Sequence, residues 1–209
     1  MPLLNTNDRA TKGELTKQRI LEAAAQMFWK SSYHNVRVDK IVELAEVNKA
    51  SFYQYFKNKE HAALECVDYM FSLTREHIFE GSFAQEQDPI KRLEEIYHRI
   101  YMAHKELKDN EEQIPGCPFM NMGSELATDS EIIRQKVEQV LGEFYVYQQR
   151  IYEDAKAKGL TTMDWEPELV GRQLQGILNG AMSSAKIRNR PEDITDALVT
   201  AKTIIGVPG

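Results

Sequence analysis

Apolar residues in this chain recur at spacings of three and four almost from end to end, and nowhere alternate with polar ones over the length of a strand. A 3.6-residue period puts them on one face of a helix, so the pattern predicts an all-α fold. Residues 17–30 bring Ile20, Leu21, Ala24, Met27 and Phe28 to one face, with Thr11 and Glu14 in capping-box spacing upstream. Asn58, Lys59 and Glu60 open a helix expected to reach Glu80 and to stop at Gly81-Ser82. Asp88-Pro89 opens another, with Ile90, Leu93, Tyr97, Ile100, His104 and Leu107 in register. Thr128 and Glu131 flank a further start, and that helix should end at Lys158 with Gly159 as its cap. Pro167 opens a helix to Arg188, and Pro191 opens the last one, to Ile205.

Charge divides the chain more sharply than hydropathy does. Residues 1–60 hold 10 Lys and Arg against 7 Asp and Glu, whereas residues 61–209 hold 16 against 25. A basic head suits a polyanionic partner and an acidic body does not. Two Cys among 209 residues exclude a disulfide framework and point to a reducing, cytoplasmic setting. No apolar run approaches the roughly 18 residues of a membrane span, and Met1–Thr16 lacks the apolar core of a secretory signal.

Within the head, residues 37–56 have the pattern of a helix, a sharp turn and a short helix. Val38, Ile41, Val42 and Ala45 line one face of the first helix, and small Ala45 permits close approach. Val47 plugs the turn and Asn48 caps the second helix. There Phe52 and Phe56 fill the inward positions, which leaves Lys49, Ser51, Tyr53, Gln54 and Tyr55 to face out. Cations, hydroxyls and an amide on a short exposed helix suit a DNA major groove, where phosphate contacts fix position and base edges are read. Arg9, Lys12 and Lys17 form either a solvated tail or an arm that reaches DNA.

Val47-Asn48-Lys49-Ala50-Ser51-Phe52-Tyr53-Gln54-Tyr55-Phe56-Lys57-Asn58-Lys59-Glu60 resembles the signature of the tetracycline-repressor (TetR) family, Val-Ser-Lys-Gly-Thr-Leu-Tyr-x-(Tyr/His)-Phe-x-(Ser/Asn)-Lys-Glu. The likeness extends back through Ile20-Leu21-Glu22-Ala23-Ala24 and Phe28. It implies a three-helix DNA-binding head, residues 1–57, on an all-helical, dimeric, effector-binding body, residues 58–209. Carried over by position, Lys49, Ser51, Tyr53 and Tyr55 match recognition-helix contacts, and Lys59 matches a phosphate contact. Arg37 stands where the family has Thr; it cannot cap the helix but can reach a phosphate or a base. Ser32 stands where Gly is common.

The body carries two further patterns. Gly176 and Gly180, four residues apart on the penultimate helix, each cost about 1 kcal/mol against Ala, so they call for a close helix crossing. With Ile194, Leu198, Ala201 and Ile205 in register on the last helix, they suggest a four-helix interface between two chains, as the resemblance also implies. Pro115-Gly116-Cys117-Pro118, then Glu125-Leu126-Ala127, and Gly180 to Lys186 resemble the branch of the family that includes the N-ethylmaleimide reductase repressor. There Cys117, at a helix start with Lys186 as partner, is either an electrophile sensor or a buried, inert thiol. Phe71, Tyr97, Tyr101, Phe119, Met120 and Tyr147 are candidates for the pocket of a small-molecule effector or for plain core.

The function these features imply is an operator-binding transcriptional repressor released by a small-molecule or electrophile effector; an activator of the same build shares every one of them. A Cys-dependent enzyme would need a Cys-His-Asn or Asp constellation, and none is apparent. His98 and His104 are six residues apart and so on different faces, which gives no metal site, and no cofactor is implied.

Overall fold

The computed structural model describes residues 11–111 and 113–207, and among these there is no strand. The helices are α1 (Lys12–Lys30), α2 (Val38–Leu44), α3 (Lys49–Tyr55), α4 (Lys59–Thr74), α5 (Gly81–Gln85), α6 (Pro89–Glu111), α7 (Pro118–Leu126), α8 (Glu131–Ala157), α9 (Pro167–Arg188) and α10 (Glu192–Ile204). A 3₁₀ turn covers Tyr33–Asn35, and a π turn, Arg75–Glu80, joins α4 to α5. No helix among the described residues is long and apolar enough to cross a membrane.

Packing groups the chain into two compact units: residues up to Ser72 with Pro118–Val137, and Leu73–Cys117 with residues from Glu138 onward. This differs from the division at residues 57 and 58 read from the sequence. The reason lies in the first unit's core, where α4 contributes Ala62, Ala63 and Cys66 and α7 contributes Phe119 and Met122 beside Ile20, Phe28, Ile41 and Phe52. Glu125 of α7 fastens that arrangement. Its carboxylate accepts from the Tyr33 N–H at 2.8 Å, the His34 N–H at 3.0 Å and the Ser32 hydroxyl. Ser32 therefore serves as a donor where a glycine would offer none.

Local signals place most helix ends. Thr11 and Glu14 close a complete capping box on α1. Asp88 accepts from the Ile90 and Lys91 N–H groups at 2.8 and 3.2 Å and so starts α6. Gly159, at φ 66°, completes a Schellman turn after α8, with the Leu160 N–H bonded to the Ala155 carbonyl at 2.9 Å. Asn189, at φ 49°, ends α9 in the left-handed conformation, and Asp193 ties the α9–α10 corner by accepting from Ser184, Arg188 and Arg190.

Two expected boundaries are corrected. The cap of α8 is Ser130, whose hydroxyl accepts from the Ile133 N–H at 3.4 Å; Thr128 lies in the preceding turn. Gly81 does not stop a helix but continues one, with helical dihedrals directly after the π turn. A Cβ on Gly81 would stand 2.7 Å from the Arg99 guanidinium, which donates to the His77 carbonyl at 2.7 Å. The glycine makes room for the side chain that satisfies the widened turn.

The second unit is built on antiparallel helices. The Lys158 ammonium of the α8 end reaches the Gln87 carbonyl at 2.5 Å, just before α6, and Asp154 of α8 pairs with Arg92 of α6 at 2.6 Å. Helix α10 packs on both α6 and α9.

Candidate nucleic-acid interface and effector body

The turn between α2 and α3 is closed without glycine. Glu46 takes φ 53°, and the Val47 N–H reaches back to the Val42 carbonyl at 3.0 Å. Ala45 is buried at the crossing, and the Asn48 side chain caps α3 by accepting from the Ser51 N–H at 2.9 Å. Phe52 and Phe56 are fully buried, with ring centroids 5.3 Å apart. Packing on that side turns Lys49, Tyr53 and Gln54 into solvent, Tyr53 with 53% of its surface exposed.

The remaining residues assigned to DNA take other positions. The Ser51 hydroxyl is 3.1 Å from Asn48 Oδ1. Tyr55 is half-buried, its hydroxyl 3.3 Å from where a Cβ on Gly13 would stand, so it leans on the start of α1 instead of facing out. Lys49 pairs with Asp39 at 2.7 Å, and that hydrogen bond holds its ammonium above its ordinary range. Arg37 stands exposed before α2 and makes no capping bond.

Lys59 is turned inward. Its ammonium donates to the Tyr33 and Val36 carbonyls at 3.0 and 3.1 Å and lies 4.1 Å from the Tyr33 ring centroid. Burial pushes this group below its usual range, with Glu125 pulling the other way. Two of its three N–H donors are thus committed to the fold. Lys17 pairs with Glu65 at 2.6 Å, Lys12 is exposed at the start of α1, and Arg9 lies outside the described residues. A shallow cleft of about 500 Å³ beside the turn is lined by Arg19 but also by Glu43 and Glu46, a poor match for phosphate.

The effector candidates divide between the units. Phe71, Phe119 and Met120 belong to the first; Tyr97, Tyr101, Cys117, Tyr147 and Lys186 belong to the second. Tyr147 stacks on Phe79 with centroids 4.9 Å apart and donates to Glu80 at 3.3 Å, an aromatic packing role. Cys117 directly precedes α7 and is only 5% exposed. Its neighbour Gly116 takes φ 75°, and the Lys186 side chain lies 3.2 Å from where a Cβ there would stand. The structure thus brings Lys186 to the Gly116-Cys117 turn. Cys66 is fully buried in the first unit, which pushes its thiol up. Tyr97 is fully buried and burial pushes its phenol up as well.

The expected interface on α10 is corrected. Ile194, Ala201 and Ile205 are fully buried by the chain's own packing, since their register faces α6 and α9. They have no surface left for a partner, and Leu198 is half-buried. The outward side carries Val199, 58% exposed, while on α9 Gly176 and Gly180 are exposed with nothing within 4 Å of an added Cβ, and Ile187 is 84% exposed. Among the described residues, no three His, Cys, Asp or Glu side chains gather to hold a metal ion.

Residues 20–66 match the bacterial regulatory proteins of the tetR family, and residues 89–201 match the tetracyclin repressor-like C-terminal domain. The chain belongs to the TetR family. It is similar to transcriptional regulator AcuR of Cereibacter sphaeroides, with 28% identity over 192 residues, spanning 88% of this chain and 83% of the relative. HTH-type transcriptional repressor NemR of Escherichia coli is 22% identical over 196 residues, spanning 92% of this chain and 95% of its own. The fold of the crystallised regulatory protein TetR from Rhodobacter sphaeroides covers 91% of this chain and 98% of that one, with a TM-score of 0.81 at 24% identity. As a TetR-family protein the chain is a DNA-binding transcriptional regulator, and the two matched regions correspond to the basic head and the acidic body.

Proposed function

We propose that this TetR-family regulator is a homodimeric repressor that reads its operator with α3 and is released when a small molecule occupies the body. The observation that carries the reading is the sided α3: Phe52 and Phe56 anchor it while Lys49, Tyr53 and Gln54 stand in solvent at its far face. Gln54 and Tyr53 supply groups for base edges and phosphates, and Lys49 and Arg37 supply cations. Ser51, Tyr55 and Lys59 act chiefly by holding the head's shape, Lys59 with one donor left for a phosphate. Two heads must enter major grooves one turn apart, roughly 34–36 Å, which a dimer through the exposed faces of α9 and α10 would set. The burial of Cys117 favours a non-covalent effector over an electrophile.

The test is an operator-binding titration against salt. Lys49→Ala should weaken binding to all sequences alike and reduce the salt slope by about one, whereas Gln54→Ala should relax sequence preference and leave the slope unchanged. Unchanged affinity in both variants would remove α3 as the reading helix.

A further inference from the structure

We propose that the second unit holds an elongated, enclosed site between α6, α8 and α9 that takes a neutral small molecule with hydrogen-bonding groups at both ends, assigned to Tyr97 and Gln148 at one end and Gln175 at the other. It rests on the effector reading above and names the chemistry of that effector.

Three buried side chains on these helices present polar atoms with no partner: the Tyr97 hydroxyl, both amide atoms of Gln148 and Oε1 of Gln175. Each such atom costs about 1–3 kcal/mol when left dry, and native interiors satisfy nearly all of them with protein, water or ligand. Gln148 and Gln175 stand outside the aromatic and Met pattern in the sequence.

Helix register brings them into two levels. Antiparallel ties of Lys158 to Gln87 and of Asp154 to Arg92 set Gln148 of α8 opposite residues 97 and 98 of α6, so Tyr97 and Gln148 share a level. On α9, Gly171 stands against the Tyr145 carbonyl and Gln149, and the Trp165 N–H donates to the Tyr152 hydroxyl at 2.9 Å. Those ties run α9 antiparallel to α8 and put Gln175 level with residues 142 and 143. The two levels are five or six residues apart on α8, roughly 8 Å at 1.5 Å per residue. The backbones of α9 and α10, and of α10 and α6, approach closely.

The partners already made decide what each level still needs. His104 lies outside the site: its Nδ1 donates to the Ile100 carbonyl at 2.8 Å and its ring also meets the Gly116 backbone. The Gln175 amide donates to Asn179 Oδ1 at 3.0 Å and leaves its own oxygen as an acceptor. That level calls for an N–H or O–H on the ligand. At the other level the Tyr97 hydroxyl and the Gln148 amide offer donors and an acceptor together, the complement of a carboxamide. Arg92, the buried cation of α6, is paired with Asp154 and bonded to the Glu86 carbonyl, so it is not spare to receive an ion. An ionised ligand would lose its hydration with nothing to replace it.

The experiment uses the full chain with 4-hydroxybenzamide as probe, 4-hydroxybenzoate as its anionic counterpart, and the variant Gln148→Leu. Without ligand, Gln148→Leu removes two unmet polar atoms and should raise the melting temperature by at least about 4 °C, at about 1 kcal/mol or more per atom and roughly 2–4 °C per kcal/mol for a chain of this size. By calorimetry the amide should bind wild type, bind the variant at least about tenfold more weakly, and bind better than the benzoate. A lower melting temperature in Gln148→Leu would mean that the amide is satisfied by the fold and overturns the site; benzoate binding as tightly as the amide overturns its neutrality. Amide binding that leaves operator affinity unchanged would keep the site and sink the effector reading. Operator release by the amide with equal sensitivity in Gln148→Leu would do the reverse.

Discussion

Three glycines on one helix respond in opposite ways to the same added methyl group. A Cβ on Gly171 would stand 2.6 Å from the Tyr145 carbonyl and 3.1 Å from the Gln149 backbone nitrogen. Both are backbone atoms of α8 and cannot swing aside, so Gly171→Ala should destabilise the chain by about 1–3 kcal/mol. At Gly176 and Gly180 a Cβ meets nothing within 4 Å, and both positions are exposed. For an isolated chain the double change to Ala then brings only the helix-propensity gain, about 0.8–1.0 kcal/mol at each site. The sum of about 1.6–2.0 kcal/mol corresponds to a rise of roughly 3–8 °C in melting temperature.

If α9 packs against its counterpart in a symmetric dimer, the added methyls press into the partner and every substitution occurs twice. The propensity gain is common to chain and dimer, so overpacking at about 1–3 kcal/mol for each of the four added methyls should weaken the dimer by about a thousandfold or more. Sedimentation velocity across a concentration series reads the dimer constant, and thermal unfolding at the dilute end reads the chain alone. The expected pair of results is a sturdier chain and a weaker dimer. A double variant that dimerises as tightly as wild type would refute the placement of the interface on this face of α9, whatever its melting temperature.

Other perturbations separate fold from function. Glu125→Ala removes an acceptor of three hydrogen bonds, each worth about 1.5–3 kcal/mol when charged, and should lower stability by at least about 2 kcal/mol in urea. Partial burial pushes the Glu125 carboxyl up, but the bonds from Ser32, His34 and Tyr33 outweigh it and hold it below the usual range. Its stabilisation is therefore full above the ordinary carboxylate range and is lost as pH falls through the lower folded value; Glu125→Gln should flatten that acid limb of the stability profile, and an unaltered limb would clear Glu125 of the role. Glu46→Gly relieves a left-handed residue at φ 53° and should add roughly 1 kcal/mol without altering operator affinity; a loss of stability would mean that the side chain itself holds the turn. With N-ethylmaleimide and mass spectrometry, Cys117 should be modified before Cys66, whose thiol is fully buried and pushed up, and the opposite order would overturn the ranking.

The head was largely legible from the sequence because its determinants are local. An Asn three residues before Ser51, Phe52 and Phe56 four apart, and a small Ala45 at the crossing each act within one or two turns. What the sequence could not supply was the partner of each signal. Gly81 has the residue type of a helix stop, yet its use is set by Arg99, which is 18 positions away and satisfies the His77 carbonyl. Thr128 and Ser130 are both competent caps, and only the position of the chain selects Ser130. Lys59 matches a phosphate-binding position, but the 33–36 carbonyls claim its ammonium first.

The same distinction separates the two faces of the last helices. Apolar register on α10 shows that Ile194, Ala201 and Ile205 will be buried, but not by whom, and the chain's own α6 and α9 bury them. A surface that a second chain would cover has the opposite signature, glycines that no intrachain neighbour requires next to apolar side chains that remain exposed, and Gly176, Gly180, Ile187 and Val199 have it. Buried polar atoms without partners are likewise a tertiary property, since Gln148 and Gln175 look like ordinary surface residues of amphipathic helices until packing closes over them. Both signatures are needs the folded chain leaves unmet, a missing neighbour on α9 and missing hydrogen bonds between α6, α8 and α9. A regulator that dimerised and answered to a ligand, as proposed above, would have to leave such needs open in its fold.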